Sequence, residues 1–208
     1  MIPRIIHQIW LGPKKEPKEW MQAWKDKNPS FDVQVWHLED LLPLRNQKLF
    51  DYFMDKGLYC GAADVARIEI LEDLGGIYVD ADLECLRSIE EAPFLEDAFF
   101  VVYDHETPGY PGRINNAIIG SMPGHPVLQE YITRMGEAQV FDPPWKTIGG
   151  KMLTDIVNDF MQEEFNDQGI TILPAGMFWP ENWNGKMAGQ CKVVYSRHNW
   201  GTTKKAYG

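Results

Sequence analysis

The chain has 208 residues, of which 44% are hydrophobic and 24% are charged, a composition typical of a globular protein with a sizeable core. Thirty acidic residues against twenty basic ones give a formal net charge of −10, which repels nucleic acids and anionic membrane surfaces. We therefore expect no nucleic-acid partner, and we predict one domain over residues 1–208.

Three widely spaced cysteines, Cys60, Cys85 and Cys191, form no C-x-x-C pair, so the sequence indicates neither a disulfide framework nor a zinc site. A reducing compartment is the simpler interpretation. The first residues lack the long apolar core of a signal peptide, and the apolar run at 98–103 is too short to span a bilayer. We expect a soluble protein of a bacterial cytoplasm or of the cytosol of a viral host.

Short runs rich in β-branched and aromatic residues alternate with segments of helical periodicity. The predicted strands cover residues 4–10, 33–37, 77–79, 98–103, 117–120, 170–173 and 192–196. The predicted helices cover residues 17–27, 46–56, 62–74, 126–136 and 147–166. This alternation predicts an α/β fold in which a mainly parallel sheet is the centre of a three-layer sandwich. Ligands of such sheets bind beyond the carboxyl ends of the strands.

The segment from residue 62 to residue 82 is the most informative part of the sequence. A helix predicted to be amphipathic is followed by Gly75-Gly76, whose conformational freedom allows a sharp turn into a short apolar strand. Side chains alternate in an extended chain, so Tyr78, Asp80 and Asp82 are expected on one face. Two close carboxylates favour Mg²⁺ or Mn²⁺, and Mg²⁺ in particular is often shared with substrate phosphates. The order of these features predicts a metal-diphosphate site.

On the predicted helix, Asp64 and Arg67 lie three residues apart and share a face. Two interpretations are open: a weak ion pair on the helix surface, or a pair that binds a phosphate and sugar hydroxyls. A separate apolar stripe is assigned to the core and consists of Ala63, Ala66, Ile70 and Leu74. Glu84 is expected on the same face as Asp80 and Asp82 and is interpreted as a surface acid.

Two stretches rich in proline and glycine are predicted as long loops, at residues 104–113 and 174–185. The second contains Trp179 and Trp183. Long loops of this kind are often lids or acceptor platforms, and ordinary surface loops are the alternative.

The motifs resemble the DXD-containing glycosyltransferases (family 32-like), which include the yeast initiating α-mannosyltransferase and bacterial capsule sugar transferases. A more remote resemblance links the chain to the large glucosylating bacterial toxins. The matching blocks are residues 2–12 (IPRIIHQIWLG), 63–82, 115–121 (NNAIIGS), 149–154 (GGKMLT) and 198–200 (HNW). The resemblance implies a GT-A, Rossmann-like fold, a divalent cation, a nucleotide-sugar donor and transfer with retention of anomeric configuration.

The resemblance also implies roles for individual residues. Asp82 is expected to ligate the metal, and Asp80 to contact both the ribose and the surroundings of the metal. Asp64 and Arg67 are expected to hold the donor sugar. These four residues are the catalytic residues that the resemblance implies.

Residues outside the central block complete the implied nucleotide site. Trp10 matches a position that stacks on uracil in the toxins, and a role as a core anchor is the alternative. Trp200 matches a position that closes over the diphosphate or the sugar. Ile9, Tyr78 and Asn116 are further expected contacts of the nucleotide sugar.

The C-terminal tail is implied to take part in the site. His198 matches a metal-binding position, and a hydrogen-bonded structural histidine is the alternative. Asn199 stands where many relatives carry a serine, so a hydroxyl ligand at this position is in doubt. Thr202, Lys204 and Lys205 are interpreted either as phosphate contacts or as part of a frayed terminus.

The resulting prediction is a metal-dependent, retaining hexosyltransferase that uses a UDP-sugar such as UDP-glucose or UDP-galactose and a glycan or glycoprotein acceptor. A GDP-mannose-dependent mannosyltransferase is the alternative transferase. Two other classes stay open: a Mg²⁺-dependent phosphotransferase and a nucleotide-sugar-binding module. Polysaccharide biosynthesis and glycoprotein glycosylation are the processes that the resemblance implies.

Overall fold

The structure, a computed structural model, describes residues 1–41, 43–106, 112–139, 143–162, 169–201 and 203–204. Its strands are β1 (Ile5–Ile9), β2 (Asp32–Trp36), β3 (Gly76–Val79), β4 (Leu83–Cys85), β5 (Phe99–Tyr103), β6 (Ile114–Ser121), β7 (Ile170–Leu173) and β8 (Ser196–His198). Its α-helices are α1 (Lys18–Lys27), α2 (Gln47–Asp55), α3 (Tyr59–Leu74), α4 (Pro126–Glu137), α5 (Pro144–Thr147) and α6 (Gly150–Gln162). Short 3₁₀ turns lie at Leu38–Asp40, Pro93–Glu96 and Ala175–Met177.

Six strands form the main sheet in the order β2-β1-β3-β6-β5-β7. Strand β1 runs parallel to β2 and β3, and β5 runs parallel to β7. Among the described strands of this sheet, β6 alone runs against its neighbours, β3 and β5. Strands β4 and β8 pair antiparallel in a separate small sheet. The predicted α/β class with a mainly parallel central sheet is confirmed.

Hydrophobic side chains pack against both faces of the main sheet. On one face, α2, α3, α4 and α6 contribute to a cluster that includes Tyr78 and Ile119 of the sheet. On the other face, Trp24 of α1 and Trp179 of the C-terminal segment pack in a cluster with Phe100. The order of layers is therefore helix, sheet, and a mixed layer that contains α1 and the small β4-β8 sheet.

Helix α3 differs from the amphipathic helix that the sequence predicted. It is buried on all sides from residue 61 to residue 71, including the charged residues Asp64, Arg67 and Glu69, whereas Leu74 of the predicted core stripe is 40% exposed. The reason is that α2 and α4 cover the helix face turned away from the sheet. Each buried charge on α3 is partnered: the Glu69 carboxylate, for example, accepts hydrogen bonds from the backbone amides of Arg45 and Asn46 just before α2.

The predicted turn from helix to strand is present. Gly75 ends α3 with φ +63°, and Gly76 opens β3 with φ +97°. A Cβ atom at Gly76 would lie 2.7 Å from the carbonyl oxygen of Ile5. A side chain at this position would therefore force β1 and β3 apart.

Some predicted boundaries were wrong. The strand predicted at 192–196 is β8, displaced to the end of that range, and β4 was not predicted. Both are three-residue strands held by pairing between distant parts of the chain, which local patterns do not reveal. The helix predicted at 147–166 is α6, which begins at Gly150, and residues 163–166 of the prediction lie outside the described ranges; the short helix α5 before it was not predicted.

The two predicted loops are described only in part. Residues 107–111 of the first lie outside the described ranges, and in the second Trp179 is fully buried while Trp183 is 57% exposed. None of the helices that the structure describes is both long and apolar enough to cross a bilayer.

The close contact between β5 and β6 gives a test of the packing. A Cβ atom at Gly120 would overlap the ring of Phe100, which is fully buried. We expect Gly120→Ala to lower the free energy of unfolding by about 1–3 kcal/mol because the ring cannot move without opening the core. Urea denaturation monitored by circular dichroism measures the change.

Gly136→Ala in α4 is the matched control, since its Cβ would meet only the Asn46 side-chain oxygen, at 3.1 Å. Alanine favours a helix over glycine by up to about 1 kcal/mol, so this variant should be as stable as the wild type or slightly more stable. Equal loss of stability in both variants would contradict the packing described for Gly120.

Candidate metal and nucleotide site

Two carboxylates and an imidazole meet just beyond β3. Ligand atoms of Asp80, Asp82 and His198 lie within 4.8 Å of one another. The aspartates are brought together by a turn, in which the Leu83 amide donates to the Asp80 carbonyl at 2.9 Å. The strand-like alternation predicted for this segment was therefore wrong beyond Val79. The two carboxylates nevertheless come together as the sequence suggested.

The C-terminal tail closes on Asp82. The Asp82 Oδ1 atom lies 3.1 Å from His198 Nε2, and Oδ2 accepts a hydrogen bond from the Gly201 amide at 2.7 Å. The Asn199 amide donates to the Asp82 carbonyl at 2.9 Å. Strand pairing sets this geometry, because Leu83 of β4 lies opposite His198 of β8. The Gly201 contact was not predicted, since a backbone donor leaves no signal in residue type.

Trp200 adopts an unusual conformation beside this cluster. Its ring stacks on His198 with 3.8 Å between ring centroids, and its φ of +56° is rare for a bulky residue. The Trp200 indole N–H and His198 Nδ1 are buried without a hydrogen-bond partner among the described residues. Unpaired buried polar atoms are uncommon in folded proteins, and they mark this tail as a place where a polar ligand fits.

A second set of polar residues extends from Asp80 into the protein. The Tyr78 hydroxyl donates to Asp80 Oδ1 at 2.8 Å, and an Arg67 guanidinium nitrogen lies 3.2 Å from the same oxygen. That nitrogen also lies 2.8 Å from Asp64 Oδ1, which accepts from the Asn116 side-chain amide at 2.8 Å. All the bonds described at the Asp80 carboxylate go to Oδ1. Tyr78 and Arg67 thus fix the Asp80 carboxylate through its Oδ1 atom.

Arg67 is the centre of this set and is only 4% exposed. Its Nε donates to the Ala63 carbonyl and its Nη1 to the Asn116 carbonyl, while Nη2 faces the two aspartates. The guanidinium also lies over the Tyr78 ring, 4.3 Å from the centroid. The interpretation of Asp64 and Arg67 as a surface ion pair is wrong, because both side chains are buried.

Burial dominates the electrostatics of the acidic residues. Desolvation raises the pKa of the Asp80 carboxyl, the Arg67 charge opposes this shift, and the neighbouring Asp82 charge adds to it. Desolvation likewise raises the pKa of Asp64 to about 6 against the opposing charge of Arg67. A cation placed at the cluster would favour the ionised form of Asp80.

A turn between α5 and α6 lies directly against Asp64. The buried Tyr131 hydroxyl is 2.6 Å from the Ile148 carbonyl oxygen and 3.1 Å from that of Gly149. A Cβ atom at Gly149 would lie 2.7 Å from Trp145 Cα and 3.3 Å from Asp64 Oδ2. Sequence reasoning assigned no role to this turn; the Gly149-Gly150 pair among the matching blocks was its only signal.

The predicted base-binding residues lie at the end of β1. Trp10 is half-buried, and its indole N–H donates to the Lys14 carbonyl at 2.9 Å. It lines a cavity of about 620 Å³ whose other walls come from residues 11–16, 18, 37–39, 54 and 59. Ile9 is 4% exposed and belongs to the core, so only its main chain is placed to meet a ligand.

Of the other tail residues interpreted as phosphate contacts, Lys204 lies within the described ranges. Lys204 is exposed, and its amide donates to the Trp200 carbonyl at 2.7 Å. Thr202 and Lys205 lie outside the described residues. Glu84, interpreted as a surface acid, binds Arg197 at 2.6 Å at the edge of the small sheet.

Residues 14–99, which include Asp80-Ala81-Asp82, match the family model described as "Glycosyltransferase sugar-binding region containing DXD motif". Residues 14–99 of the chain are therefore similar to the sugar-binding region of the DXD glycosyltransferases. This match confirms the resemblance to the DXD glycosyltransferases.

Curated proteins and solved structures agree with the family match. The chain is 33% identical over 143 residues to an uncharacterized glycosyltransferase, L373, of Acanthamoeba polyphaga mimivirus, covering 64% of this chain and 54% of that protein. It is 29% identical over 146 residues to inositol phosphoceramide mannosyltransferase 3 of Schizosaccharomyces pombe, covering 64% and 37%. The structure of PaToxG glycosyltransferase superposes with a TM-score of 0.61 at 15% identity, covering 76% of this chain and 69% of that one. The predicted GT-A fold is confirmed, and the aligned regions span about half or less of these curated DXD relatives.

The raised pKa of Asp64 gives a test of its burial beside Arg67 and Asn116. Between about pH 4 and pH 6 the unfolded chain has released the Asp64 proton, while the folded protein keeps it. The wild type should therefore lose stability relative to Asp64→Asn, which does not titrate, as pH rises through this window. The difference should change by up to about 3 kcal/mol.

Urea denaturation of both proteins at pH 4, 5, 6 and 7 measures this difference. The comparison cancels the titration of the other groups that the two proteins share. A stability difference that stays constant over the range would show that Asp64 is not buried as described.

Proposed function

We propose that this chain is the catalytic domain of a metal-dependent glycosyltransferase that transfers a hexose from a nucleotide sugar to a glycan or glycoprotein with retention of configuration. The single observation that supports it most is the meeting of Asp80, Asp82 and His198 within 4.8 Å, with Asp80 fixed from behind by Arg67. We assign residues 1–208 to this one domain.

The donor set suits a divalent cation. Asp80, Asp82 and His198 are the residues that would hold it, and a bound ion would neutralise the negative charge that develops on the leaving diphosphate. Two carboxylates with one imidazole fit Mn²⁺ better than Mg²⁺, because Mg²⁺ strongly prefers oxygen ligands. We therefore propose Mn²⁺ as the preferred ion.

The other residues would bind and orient the donor. Asp64 would accept hydrogen bonds from sugar hydroxyls, and its bonds to Arg67 and Asn116 support this role by fixing its orientation. The buried Trp200 indole N–H would donate to a diphosphate oxygen. Trp10 would stack on the base at the rim of its cavity. Arg67 acts in this proposal as a positioning residue, since its guanidinium nitrogens are already bonded to protein atoms.

We propose that transfer with retention proceeds without a covalent glycosyl-enzyme intermediate. The bond between the anomeric carbon and the phosphate oxygen breaks, and the acceptor oxygen bonds to that carbon on the same face. The acceptor proton passes to the leaving phosphate. Asp64, Asp80 and Asp82 are all bonded to protein groups around them, so none is presented as a glycosidase-type nucleophile.

Two donors are proposed for test. The position of Trp10 favours a UDP-hexose, whereas the mannosyltransferase of Schizosaccharomyces pombe favours a mannosyl donor such as GDP-mannose. A phosphotransferase is less favoured, because the acid pair follows the third strand and lies in a matched sugar-binding region. A binding module without turnover would bind donors but release no nucleoside diphosphate.

Donor hydrolysis without acceptor tests the metal-dependent function. We expect the wild type with Mn²⁺ to release nucleoside diphosphate from UDP-glucose, UDP-galactose or GDP-mannose and to stop in chelator. Asp82→Asn should lower the rate by at least about 100-fold, because the charge facing the diphosphate is lost.

Glu84→Gln is the matched control, a carboxylate two residues further along that binds Arg197 at the sheet edge. Its hydrolysis rate should stay close to that of the wild type. Full activity of Asp82→Asn, or hydrolysis that is unchanged in chelator, would overturn the proposed function.

Trp10 gives a separate test of donor binding. If its ring stacks on the base, Trp10→Ala should raise the dissociation constant of the nucleoside diphosphate by about five- to 150-fold, and Trp10→Phe should recover most of the affinity. Calorimetry with UDP and GDP in Mn²⁺ measures both. Trp183→Ala, which removes another exposed tryptophan, is the control. A Trp10→Ala protein that loses stability but keeps its affinity would instead identify a core anchor.

A further inference from the structure

Trp145 presents an exposed indole next to the donor-sugar residues. Its side chain is 47% exposed, whereas Trp24 and Trp179 are fully buried in the core. Trp145 Cα and carbonyl oxygen pack against Gly149, whose Cα carries no side chain and so lets the turn approach Asp64 Oδ2. Because the Tyr131 hydroxyl bonds the carbonyls of this turn, the backbone that carries the indole is fixed.

Two cations flank the exposed ring. The Arg113 guanidinium carbon and the Lys146 ammonium each lie 5.3 Å from the Trp145 centroid. Arg113 is held by the Asp104 carboxylate at 2.6 Å, and Lys146 forms no ion pair with any residue in the described ranges. On a chain with a net charge of −10, the exposed indole thus has two cations at its ring, of which Lys146 is not neutralised by an ion pair within the described ranges.

The sheet order places this surface at the same edge of the sheet as the Asp80-Asp82 cluster. Trp10 follows β1, the acid pair follows β3, and Arg113 precedes β6, which is the next strand and runs in the opposite direction. The beginning of β6 therefore lies at the same edge of the sheet as the ends of β1 and β3. Base, metal and cationic indole follow one another along this edge, with Asp64 between the last two.

From this arrangement we propose that Trp145, Arg113 and Lys146 form an acceptor subsite for a sugar or polyol ring that carries a negatively charged group. The apolar face of the ring would stack on the indole, and the two cations would bind the anionic group. This assignment rests on the proposed glycosyltransferase function, since only a transferase has an acceptor. It names the chemical class that the proposed function left open.

Binding of simple glycosides to the protein loaded with Mn²⁺ and nucleoside diphosphate tests the subsite. The probes are methyl α-mannoside, its 6-phosphate, and methyl α-glucuronide, measured by ligand-observed NMR. We expect both anionic probes, or one of them, to bind at least about tenfold more tightly than the neutral glycoside. The two anionic arms distinguish a phosphate from a carboxylate as the recognised group.

Variants separate the two parts of the subsite. Trp145→Ala should weaken all three probes about tenfold, and Trp145→Phe should restore most of the binding. The double variant Arg113→Gln/Lys146→Gln should remove only the preference for the anionic probes. Trp183→Ala is the matched control for loss of an exposed tryptophan and should leave binding unchanged.

Donor hydrolysis in the absence of acceptor tests the proposed glycosyltransferase function separately from the acceptor subsite. Folded Trp145 and Arg113/Lys146 variants should hydrolyse the donor at close to the wild-type rate. Absence of hydrolysis in the wild type would overturn the proposed function, whereas the binding measurements stand by themselves. Equal affinity of the wild type for neutral and anionic glycosides, or unchanged binding in Trp145→Ala, would overturn the subsite.

Discussion

A buried guanidinium organises this molecule. Arg67 has almost no contact with solvent, and a buried charge is tolerated only when it is paired and hydrogen-bonded. Its partners are the carboxylates of Asp64 and Asp80, the Asn116 carbonyl and the Tyr78 ring. These partners come from three parts of the chain: α3, β3 with the residue that follows it, and β6. Protein groups must replace all the water around this charge. That one requirement fixes α3 in the centre of the fold and orients Asp80 at the end of β3.

The other half of the cluster depends on the far end of the sequence. Asp82 is held by His198 and the Gly201 amide, across 116 and 119 residues. Neither three-residue strand, β4 or β8, has enough local hydrogen bonding to form alone, so each exists because the other pairs with it. Asp80 and Asp82 are therefore held in different ways. Asp80 is held by residues in the centre of the fold, and Asp82 is held by the C-terminal tail.

The sequence could predict what local chemistry determines. Gly75-Gly76 indicated a turn, the alternation of strands and helices indicated a mainly parallel sheet, and Asp80 and Asp82 were expected at the end of a strand. It could not predict that α3 is buried on all sides, because some of the hydrogen bonds that make this burial acceptable come from distant residues: Asn116 is 49 positions from Arg67, and Arg45 is 24 positions from Glu69. The Gly201 donor and the contact of Gly149 with Asp64 were missed for the same reason. Backbone groups and absent side chains carry no residue-type signal, and only the three-dimensional packing shows them.

The charges of the assembled site decide what it can bind. Asp64, Asp80 and Asp82 contribute three carboxylates, and Arg67 is a guanidinium already engaged by two of them. A diphosphate brings further negative charge into a protein whose net charge is already −10. The buried Trp200 indole N–H faces no protein partner in the described ranges, and as a neutral donor it can orient a phosphate oxygen but cannot compensate for its charge. Binding of a diphosphate here therefore requires a cation that arrives with the ligand or before it, and affinity for nucleotide and metal should be coupled rather than independent.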